Sequence, residues 1–446
     1  MSKSHTKMPS ERAADLRLVP GLGLVDLAGS GLPDALTGRV SDELELFTAR
    51  MHEGLLAAAV AVGLEVFDQL LDANVTAVAG VRGRHDPGRT AVRHGTDPAK
   101  VPMGGRMIDV RKPRVRSVDG TGEVPLATWA AVASRDLLCE HTVASMLAGV
   151  STRGYATVLE PAGVAVTEAT SSTSRSAVSR RFITATKARL VEFRSRPLDD
   201  RRWLVVYIDG FGFGDETLVG ALGVDADGNK VPLSVMHGTT ENKAVCGRLL
   251  DNLEDRGLDP AAGVLFVING GKAIYHAVRD KWGDVALVQR CREHKRRNII
   301  ALLPADQHAW VNRDLNRAWK MPDGDEAERA LRNLAAKIER THPDAAASLR
   351  EGLTDTVTIN RLGVTGTLAR TLATTNPMES TVDIIKVHAR NVKRWQGGDM
   401  RLRWAAAGML AAEAQYRRVK GYRQLDQLAH AITATIQARR PLADAS

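Results

Sequence analysis

The sequence has few cysteines and no long apolar segment. Its three cysteines, Cys139, Cys246 and Cys291, are too few for a disulfide framework in 446 residues and indicate a reducing compartment. The longest apolar run, residues 54–64, is too short to span a bilayer, and no cationic–apolar signal segment opens the chain. A hydrophobic content of 44% and a charged content of 25% exclude a disordered or collagen-like chain. We therefore expect a folded cytoplasmic protein of roughly two to four domains, without a membrane partner.

The positive charge is unevenly distributed along the chain. A formal net charge of +9 permits a nucleic-acid partner without establishing one. Residues 82–116 hold ten basic and three acidic residues, a local balance of +7, and residues 380–425 show the same numbers. A third cluster is opposed only by Glu293 and comprises Arg290, Arg292, Lys295, Arg296 and Arg297. One cluster alone would be read as a solvated surface, but three clusters favour phosphate contacts.

The first 200 residues are predicted to be mainly helical. Residues 41–75 and 127–160 have helical periodicity, whereas residues 79–125 read as a small β-containing or extended arm. The polar turn at residues 171–174 leads into an amphipathic helix, which Ser174 can cap. Its exposed face, suited to the recognition helix of a helix-turn-helix, is expected to comprise Arg175, Ser179, Arg180 and Arg181. An ordinary capped surface helix is the alternative.

The order of elements in residues 201–300 predicts an RNase H-like α/β fold. A buried strand with Asp209 at its end precedes a hairpin that turns at residues 225–229. A helix, a strand, a second helix and a further strand follow, and residues 305–368 are helical and charged throughout. A carboxylate at the end of a strand is expected to be exposed at the sheet edge but rigidly held, which suits metal ligation. A structural aspartate that caps a turn is the alternative.

Four motifs accompany this pattern. They are Tyr207-Ile208-Asp209-Gly210, then Gln289-Arg290-Cys291 with His294-Lys295-Arg296-Arg297-Asn298, then Thr375-Asn376-Pro377-Met378-Glu379-Ser380, and last Arg390-Asn391-Val392-Lys393 through Leu402-Arg403-Trp404. In these motifs, over about residues 41–421, the sequence resembles bacterial insertion-sequence transposases of the Mutator-like superfamily, which use a DDE active site.

The resemblance implies three acidic residues that hold two Mg²⁺ ions, with Mn²⁺ as an alternative, on an RNase H-like sheet. The first acid maps to Asp209 and the third to Glu379. Where the family has its second aspartate, after the strand that ends at Ile268, this chain has Asn269. An amide offers a neutral oxygen and cannot offset the charge of two metal ions. We therefore predict that fold and DNA binding persist while strand cleavage and strand transfer are largely lost.

Two histories fit Asn269. One is a deliberate replacement of aspartate to trap a complex, and the other is a decayed natural copy. The intact remaining motifs favour the first. In either case the gap of 110 residues between Asn269 and Glu379 is too long for one helix and loop, and it implies the helical insertion.

Further residues are expected to support the site. Lys386, Arg390 and Lys393 follow Glu379 at helical spacing and predict a basic row along one helix face, which would track a DNA backbone. The same surface is expected to include Arg394, Trp395, Arg401 and Arg403. Cys291 and His294 form only half of a zinc ligand set, and we interpret them as structural or as active-site support.

These observations predict a DNA transposase of the bacterial cytoplasm, associated with the nucleoid. It would bind terminal inverted repeats and target DNA as a homodimer. The alternative is a non-catalytic DNA-binding repressor or domesticated copy. A serine recombinase is disfavoured because no nucleophilic serine lies among clustered arginines in a separate domain. The predicted regions are a flexible start (1–40), a helical dimerisation region with the basic arm (41–125), a helix-turn-helix domain (126–198), the catalytic core (199–304 and 369–425), the helical insertion (305–368) and a C-terminal tail (426–446).

Overall fold

The computed structural model describes residues 55–84, 88–133, 137–159, 170–238 and 242–439. The chain divides into two compact units. The first comprises Met1–Thr96, Pro113–Thr128 and Glu160–Ala169, and the second comprises Asp97–Lys112, Trp129–Leu159 and Thr170–Ser446. The predicted flexible start, the beginning of the first predicted helical region and residues 440–446 lie outside the described residues.

The first unit is built on one long helix, α1 (Leu55–Ala79). Leu71 and Val75, one turn apart, are buried. Arg93 donates to the Asp72 carboxylate at 3.0 Å and to the Thr76 hydroxyl at 2.8 Å, which joins the strand segment of this unit to the helix. The predicted helix is therefore present in its described part.

Strands β1 (Ala91–Met103) and β2 (Arg106–Ser117) form the arm that the sequence predicts between residues 79 and 125. The tip of this hairpin belongs to the second unit, where β2 pairs with the short strand β3 (Thr170–Ser171). The helices between them are α2 (Ala127–Ala133), α3 (Leu137–Leu147) and α4 (Tyr155–Val158), and α5 (Arg175–Ser195) follows β3.

A five-stranded mixed sheet organises the second unit. Its strands are β4 (Trp203–Phe213), β5 (Glu216–Asp225), β6 (Lys230–Gly238), β7 (Leu265–Ile268) and β8 (Leu287–Arg290), in the spatial order β6-β5-β4-β7-β8. The first three strands pair antiparallel, whereas β7 runs parallel to β4 and β8 runs parallel to β7. The predicted order of elements and the α/β class are confirmed.

Both faces of the sheet are covered, which explains why β4 is an unbroken apolar run. Successive side chains of a strand point to opposite faces. Val205 and Tyr207 pack with helices of one core, and Val206 and Ile208 pack with the helices of another. The helices after the hairpin are α6 (Lys243–Asp255), α7 (Lys272–Trp282), α8 (Arg292–Ile300), α9 (Ala305–Trp319), α10 (Gly324–Glu339), α11 (Pro343–Arg350), α12 (Thr358–Arg361), α13 (Gly366–Leu372), α14 (Asn376–Ala389), α15 (Gly397–Glu413) and α16 (Leu425–Arg439).

The inserted helices have their own apolar core, to which Ile299 of α8 and Leu315, Leu331 and Leu349 of the insertion contribute. Ile359 and Leu362, near the end of the insertion, instead pack into the core that contains Val205 and Tyr207 of the sheet. Among the described residues, no helix has both the length and the apolar character to cross a membrane.

Candidate active site

Asp209 lies on the sheet face that α14 covers. Its side chain points to the same face of the sheet as those of Val205 and Tyr207, which pack into the core that contains α14. The structure corrects two expectations. Asp209 does not end its strand, because β4 continues to Phe213, and it is not exposed, since only 5% of its surface is accessible. Asp209 lies one residue beyond the last parallel pair, Ile208 with Ile268.

Asn269 follows β7 directly and meets Asp209 across the sheet. Its amide Nδ2 donates to Asp209 Oδ1 at 2.9 Å, and its Oδ1 accepts the backbone N–H of Gly271 at 2.8 Å. The N–H of Gly271 can only donate, so it sets the orientation of the amide, and the amide nitrogen faces Asp209. The second acidic position therefore presents a hydrogen-bond donor to the carboxylate.

Glu379 lies in the first turn of α14 and reaches the same place. Thr375 Oγ1 donates to Glu379 Oε1 at 3.2 Å and lies 3.4 Å from His294 Nδ1. His294 Nδ1 is 3.9 Å from Glu379 Oε1. One ligand atom from each of Asp209, His294 and Glu379 lies within 4.8 Å of the other two. The structure thus brings together the predicted residues Asp209, Asn269, Glu379 and His294.

Cys291 explains how α8 carries His294 to this place. Its backbone N–H donates to Ile268 O at 2.7 Å, and its Sγ accepts the N–H of Thr375 at 3.4 Å. The start of α8 is therefore fixed between the end of β7 and the residue before α14. The thiol is fully buried, so it positions the neighbouring segments and does not face solvent.

Burial dominates the electrostatics of Asp209. Desolvation raises the pKa of its carboxyl to about 6, against the lowering effects of His294 and of the hydrogen bond from Asn269. A hydrogen bond with Cys291 raises the pKa of His294, and the charges of Cys291, Asp209 and Glu379 add to this effect against desolvation. Burial opposes ionisation of the Cys291 thiol, but its hydrogen bonds with His294 and Thr375 outweigh burial and lower its pKa.

The donor set fits one divalent cation. Ligand atoms bound to one cation at about 2.0–2.3 Å lie up to about 4.6 Å apart, which is close to the 4.8 Å within which these three groups fall. Asp209 and Glu379 supply carboxylates and His294 supplies an imidazole nitrogen. Asn269 stands at the second position of the predicted set, so the site offers two carboxylates and one neutral amide.

Sequence reasoning assigned no role to two residues that shape the site. The Thr375 hydroxyl lies between Glu379 and His294 and also helps to lower the pKa of Asp209. Gly220 pairs with Asp209 in β5, and a side chain there would meet Met378 and Met409. Because Gly220 has no side chain, α14 can lie against the sheet. The position of Thr375 just before a helix start was a usable signal, whereas nothing local marked Gly220.

The predicted recognition helix is present as α5. Ser174 caps it by accepting the N–H of Ala177 at 3.4 Å, and Val178 and Phe182 are buried as expected. Arg175 and Arg180 are exposed and Ser179 is half-buried. Arg181 corrects the prediction, because it is half-buried and donates to Thr142 Oγ1 at 3.0 Å and to the Ser172 carbonyl.

The predicted basic row after Glu379 is only partly helical. Lys386 is exposed on α14, but the helix ends at Ala389, so Arg390 lies at its C-cap and Lys393 lies beyond it. The expectation of one continuous helix face is therefore wrong. Arg390, Lys393 and Arg394 are nonetheless all exposed.

Other predicted DNA contacts are buried in ion pairs or core contacts. Arg401 is 4% exposed and bonds to Asp215, and Arg403 is 7% exposed and donates to Thr186 at 3.0 Å. In the third cluster, Arg290, Arg292 and Lys295 are also buried. Their partners, Glu351, Asp355 and the Thr356 carbonyl among them, come from the end of the insertion. These cations join α8 to the insertion.

The mixed sheet and its carboxylate–imidazole cluster define an α/β protein with a candidate metal centre. The family described as "Transposase, Mutator family" matches residues 40–406, which is most of the chain. The chain therefore belongs to the Mutator family of transposases.

Individual relatives agree with this assignment. The chain is 27% identical to the transposase for insertion sequence element IS6120 of Mycolicibacterium smegmatis over 45% of this chain and 62% of that protein. It is 28% identical to the transposase for IST2 of Acidithiobacillus ferrooxidans over 39% of this chain and 57% of that protein. These two matches span less than two thirds of the relatives' own lengths. The transposase for IS1081 of Mycobacterium tuberculosis is 27% identical over 71% of this chain and 74% of its own length.

Proposed function

We propose that the chain is a DNA transposase with an RNase H-like core and a DDE-type site in which Asn269 replaces the second acid. The convergence of Asp209, Asn269 and Glu379 carries this proposal, because these residues lie 60 and 110 positions apart in the sequence. The sheet order, with three antiparallel strands followed by two parallel ones, supports the RNase H-like assignment.

Asp209 and Glu379 would hold the divalent metal, Mg²⁺ or Mn²⁺, with His294 beside them. A bound metal would lower the pKa of an attacking water or hydroxyl and stabilise the leaving oxygen. Thr375 orients Glu379 through its hydroxyl, and Asn269 orients Asp209 through its amide. Because Asn269 adds no negative charge, we expect strand cleavage and strand transfer to be lost or strongly impaired.

DNA is the proposed partner. Exposed cations in two parts of the chain support this. They are Arg175 and Arg180 on α5, before the sheet, and Lys386, Arg390, Lys393 and Arg394, after Glu379. Such side chains bind phosphates whatever the base sequence. The helix-turn-helix role of α5 and its neighbours, recognition of terminal inverted repeats, and a homodimer that joins two DNA ends remain predictions.

The test is Asn269→Asp on the full chain. A duplex that carries the terminal sequence of the element is incubated with Mg²⁺ or Mn²⁺, and cleaved and joined products are measured. We expect products only with the Asn269→Asp protein and metal. The matched control adds Glu379→Gln to the same variant and should abolish them. Absence of any product with Asn269→Asp, although the protein is folded and binds the duplex, would contradict the catalytic assignment.

A non-catalytic DNA-binding protein is the second candidate. The Asn269 amide supports it, because its hydrogen bond satisfies the buried Asp209 carboxylate without a cation. A protein adapted to this role would bind duplex DNA, and its Asn269→Asp variant would form no cleaved or joined products. The same experiment therefore separates the two functions.

A further inference from the structure

A cavity of about 790 Å³ lies beside α14, and all the charged side chains in its lining are basic. They come from three separate places in the chain, the start of β6, α13 and the segment between α15 and α16. We call them the basic groove, which comprises Lys230, Arg370, Arg417, Arg418 and Lys420. No carboxylate lines this cavity in the described part of the chain. Five cations therefore converge without acidic neighbours in its wall.

Three arginines of the insertion show a different arrangement, because each of them lies near an acidic side chain. Arg332 pairs with Glu328, Arg350 pairs with Glu339, and Arg329 lies 4.0 Å from Glu326. None of the five cations of the basic groove has such an ion pair within the described residues. Glu413, four residues before Arg417, is engaged by Arg196 through two contacts of 3.1 Å. Like charges gathered without acidic partners oppose folding, so the grouping needs another reason.

The groove is held in shape before any ligand binds. The Tyr416 hydroxyl bonds to Thr381 Oγ1 of α14 at 2.6 Å, and Lys230 Nζ lies 4.8 Å from the centre of the Tyr416 ring. Thr371 Oγ1 donates to the Lys420 carbonyl at 3.1 Å, which ties the connecting segment to α13. Burial, together with the charge of Lys420, lowers the pKa of Lys230. A bound anion would relieve this unfavourable field.

The groove lies next to the candidate active site. Asn376, Ser380 and Ile384, spaced four residues apart, line it from α14. Glu379 is the neighbour of Ser380, and successive helical residues are about 100° apart around the axis. A second cavity of about 670 Å³ shares Arg370 and Thr374 with the first. A phosphate backbone could therefore pass from the cluster at Glu379 along the side of α14.

We propose that the basic groove binds the phosphate backbone of duplex DNA beside the reacting strand. This inference rests on the proposed function, since it assumes that DNA is the partner. It adds a contact surface in which Lys230 and Arg370, which lie outside both +7 segments of the sequence, act together with the segment before α16. Phosphate contacts of this kind carry affinity and register but no base sequence.

The test compares two variants of the full chain that lose the same number of positive charges. The groove variant carries Lys230→Gln, Arg417→Gln and Lys420→Gln. The control carries Arg329→Gln, Arg332→Gln and Arg350→Gln, whose cations face acids. Affinity for two duplexes of unrelated sequence is measured over a range of salt concentrations. Each lost phosphate contact lowers the slope of log affinity against log salt by about 0.9, so the groove variant should lose about 2.7.

We expect the slope of log affinity against log salt to fall by this amount for both duplexes with the groove variant. The control variant should keep the wild-type slope. A wild-type slope in the groove variant, an equal loss in the control, or a loss confined to one duplex would overturn the inference. If the wild-type chain bound no duplex at all, the proposed function itself would fail. Arg417→Gln alone, at an exposed side chain, serves if the triple variant does not fold, with an expected loss of about 0.9.

Discussion

Replacing Asn269 with aspartate would place two carboxylates against each other. In the structure Asn269 Nδ2 lies 2.9 Å from Asp209 Oδ1, and Asp209 is almost fully buried. The variant has two ways to accommodate the change without metal. It can keep both charges at close range, or it can bind one proton that the pair shares.

Both ways destabilise the folded state at alkaline pH. Two charges about 3–4 Å apart repel by roughly 4–6 kcal/mol at an effective dielectric constant near 20. Retaining one proton costs about 1.4 kcal/mol for each pH unit above an unfolded pKa of about 3.9, hence about 5.5 kcal/mol near pH 8 and about 1.5 kcal/mol near pH 5. The folded pKa of the pair is raised, so stability is present at low pH and is lost as the pH rises. We expect Asn269→Asp to be less stable than the wild type by up to about 5 kcal/mol near pH 8. The difference should be smaller near pH 5, where Asp209 of the wild type, with its pKa raised to about 6, also holds a proton.

The assay is urea unfolding of the wild type and the variant at these two pH values, first with a chelator and then with Mn²⁺. A cation between the carboxylates removes their repulsion, and a free metal concentration about a hundredfold above its Kd restores about 2.7 kcal/mol. The control is Asn269→Ala, which loses the hydrogen bonds of the amide with Asp209 and Gly271 but adds no charge. We expect it to be destabilised by about 1.5–3 kcal/mol. It should gain less from Mn²⁺ than Asn269→Asp does, because it keeps only the two carboxylates of Asp209 and Glu379.

Two results would refute this reasoning. One is a variant as stable as the wild type near pH 8 in chelator, because the two side chains would then not face each other. The other is equal stabilisation of Asn269→Asp and Asn269→Ala by Mn²⁺, because a carboxylate at position 269 would then add nothing to metal binding.

Further changes test other contacts. Arg292→Met should reduce the free energy of unfolding by about 3 kcal/mol or more, measured by urea unfolding, because its buried guanidinium donates to three acceptors that would lose their partner. Normal stability would contradict this. His294→Gln should weaken Mn²⁺ binding by about tenfold in calorimetry on the Asn269→Asp background, and unchanged affinity would remove His294 from the ligand set. Ser174→Ala should cost about 0.5–1 kcal/mol through the lost helix cap, and urea unfolding of wild type and variant checks this.

The sequence was sufficient to locate the strands and most helices of the core. The apolar run of β4 and the turn residues before Lys230 act over a few neighbouring residues, so local patterns reveal them. It also placed Asp209 and Glu379, because short motifs mark both. The sequence was less successful in predicting which charged side chains are exposed and which are buried.

The cations show this limit. Arg290, Arg292 and Lys295 were read as a DNA-contacting cluster, yet most of their partners lie 53 to 68 residues further along the chain. Arg401 and Arg403 are neutralised or covered by residues that precede them by 186 and 217 positions. The net charge of a short segment does not include ion pairs and hydrogen bonds with distant residues. It therefore overestimates the basic surface.

By itself the sequence determined the α/β class, the order of strands and helices, and the identity of the residues at the three acidic positions. These depend on side-chain periodicity and on short motifs, which are properties of neighbouring residues. Only the tertiary structure decided that the Asn269 amide donates to Asp209, that His294 joins the two carboxylates, and which cations stay exposed. Those features depend on which distant segments the sheet and its helices bring within a few ångströms, and burial and charge pairing act at that range.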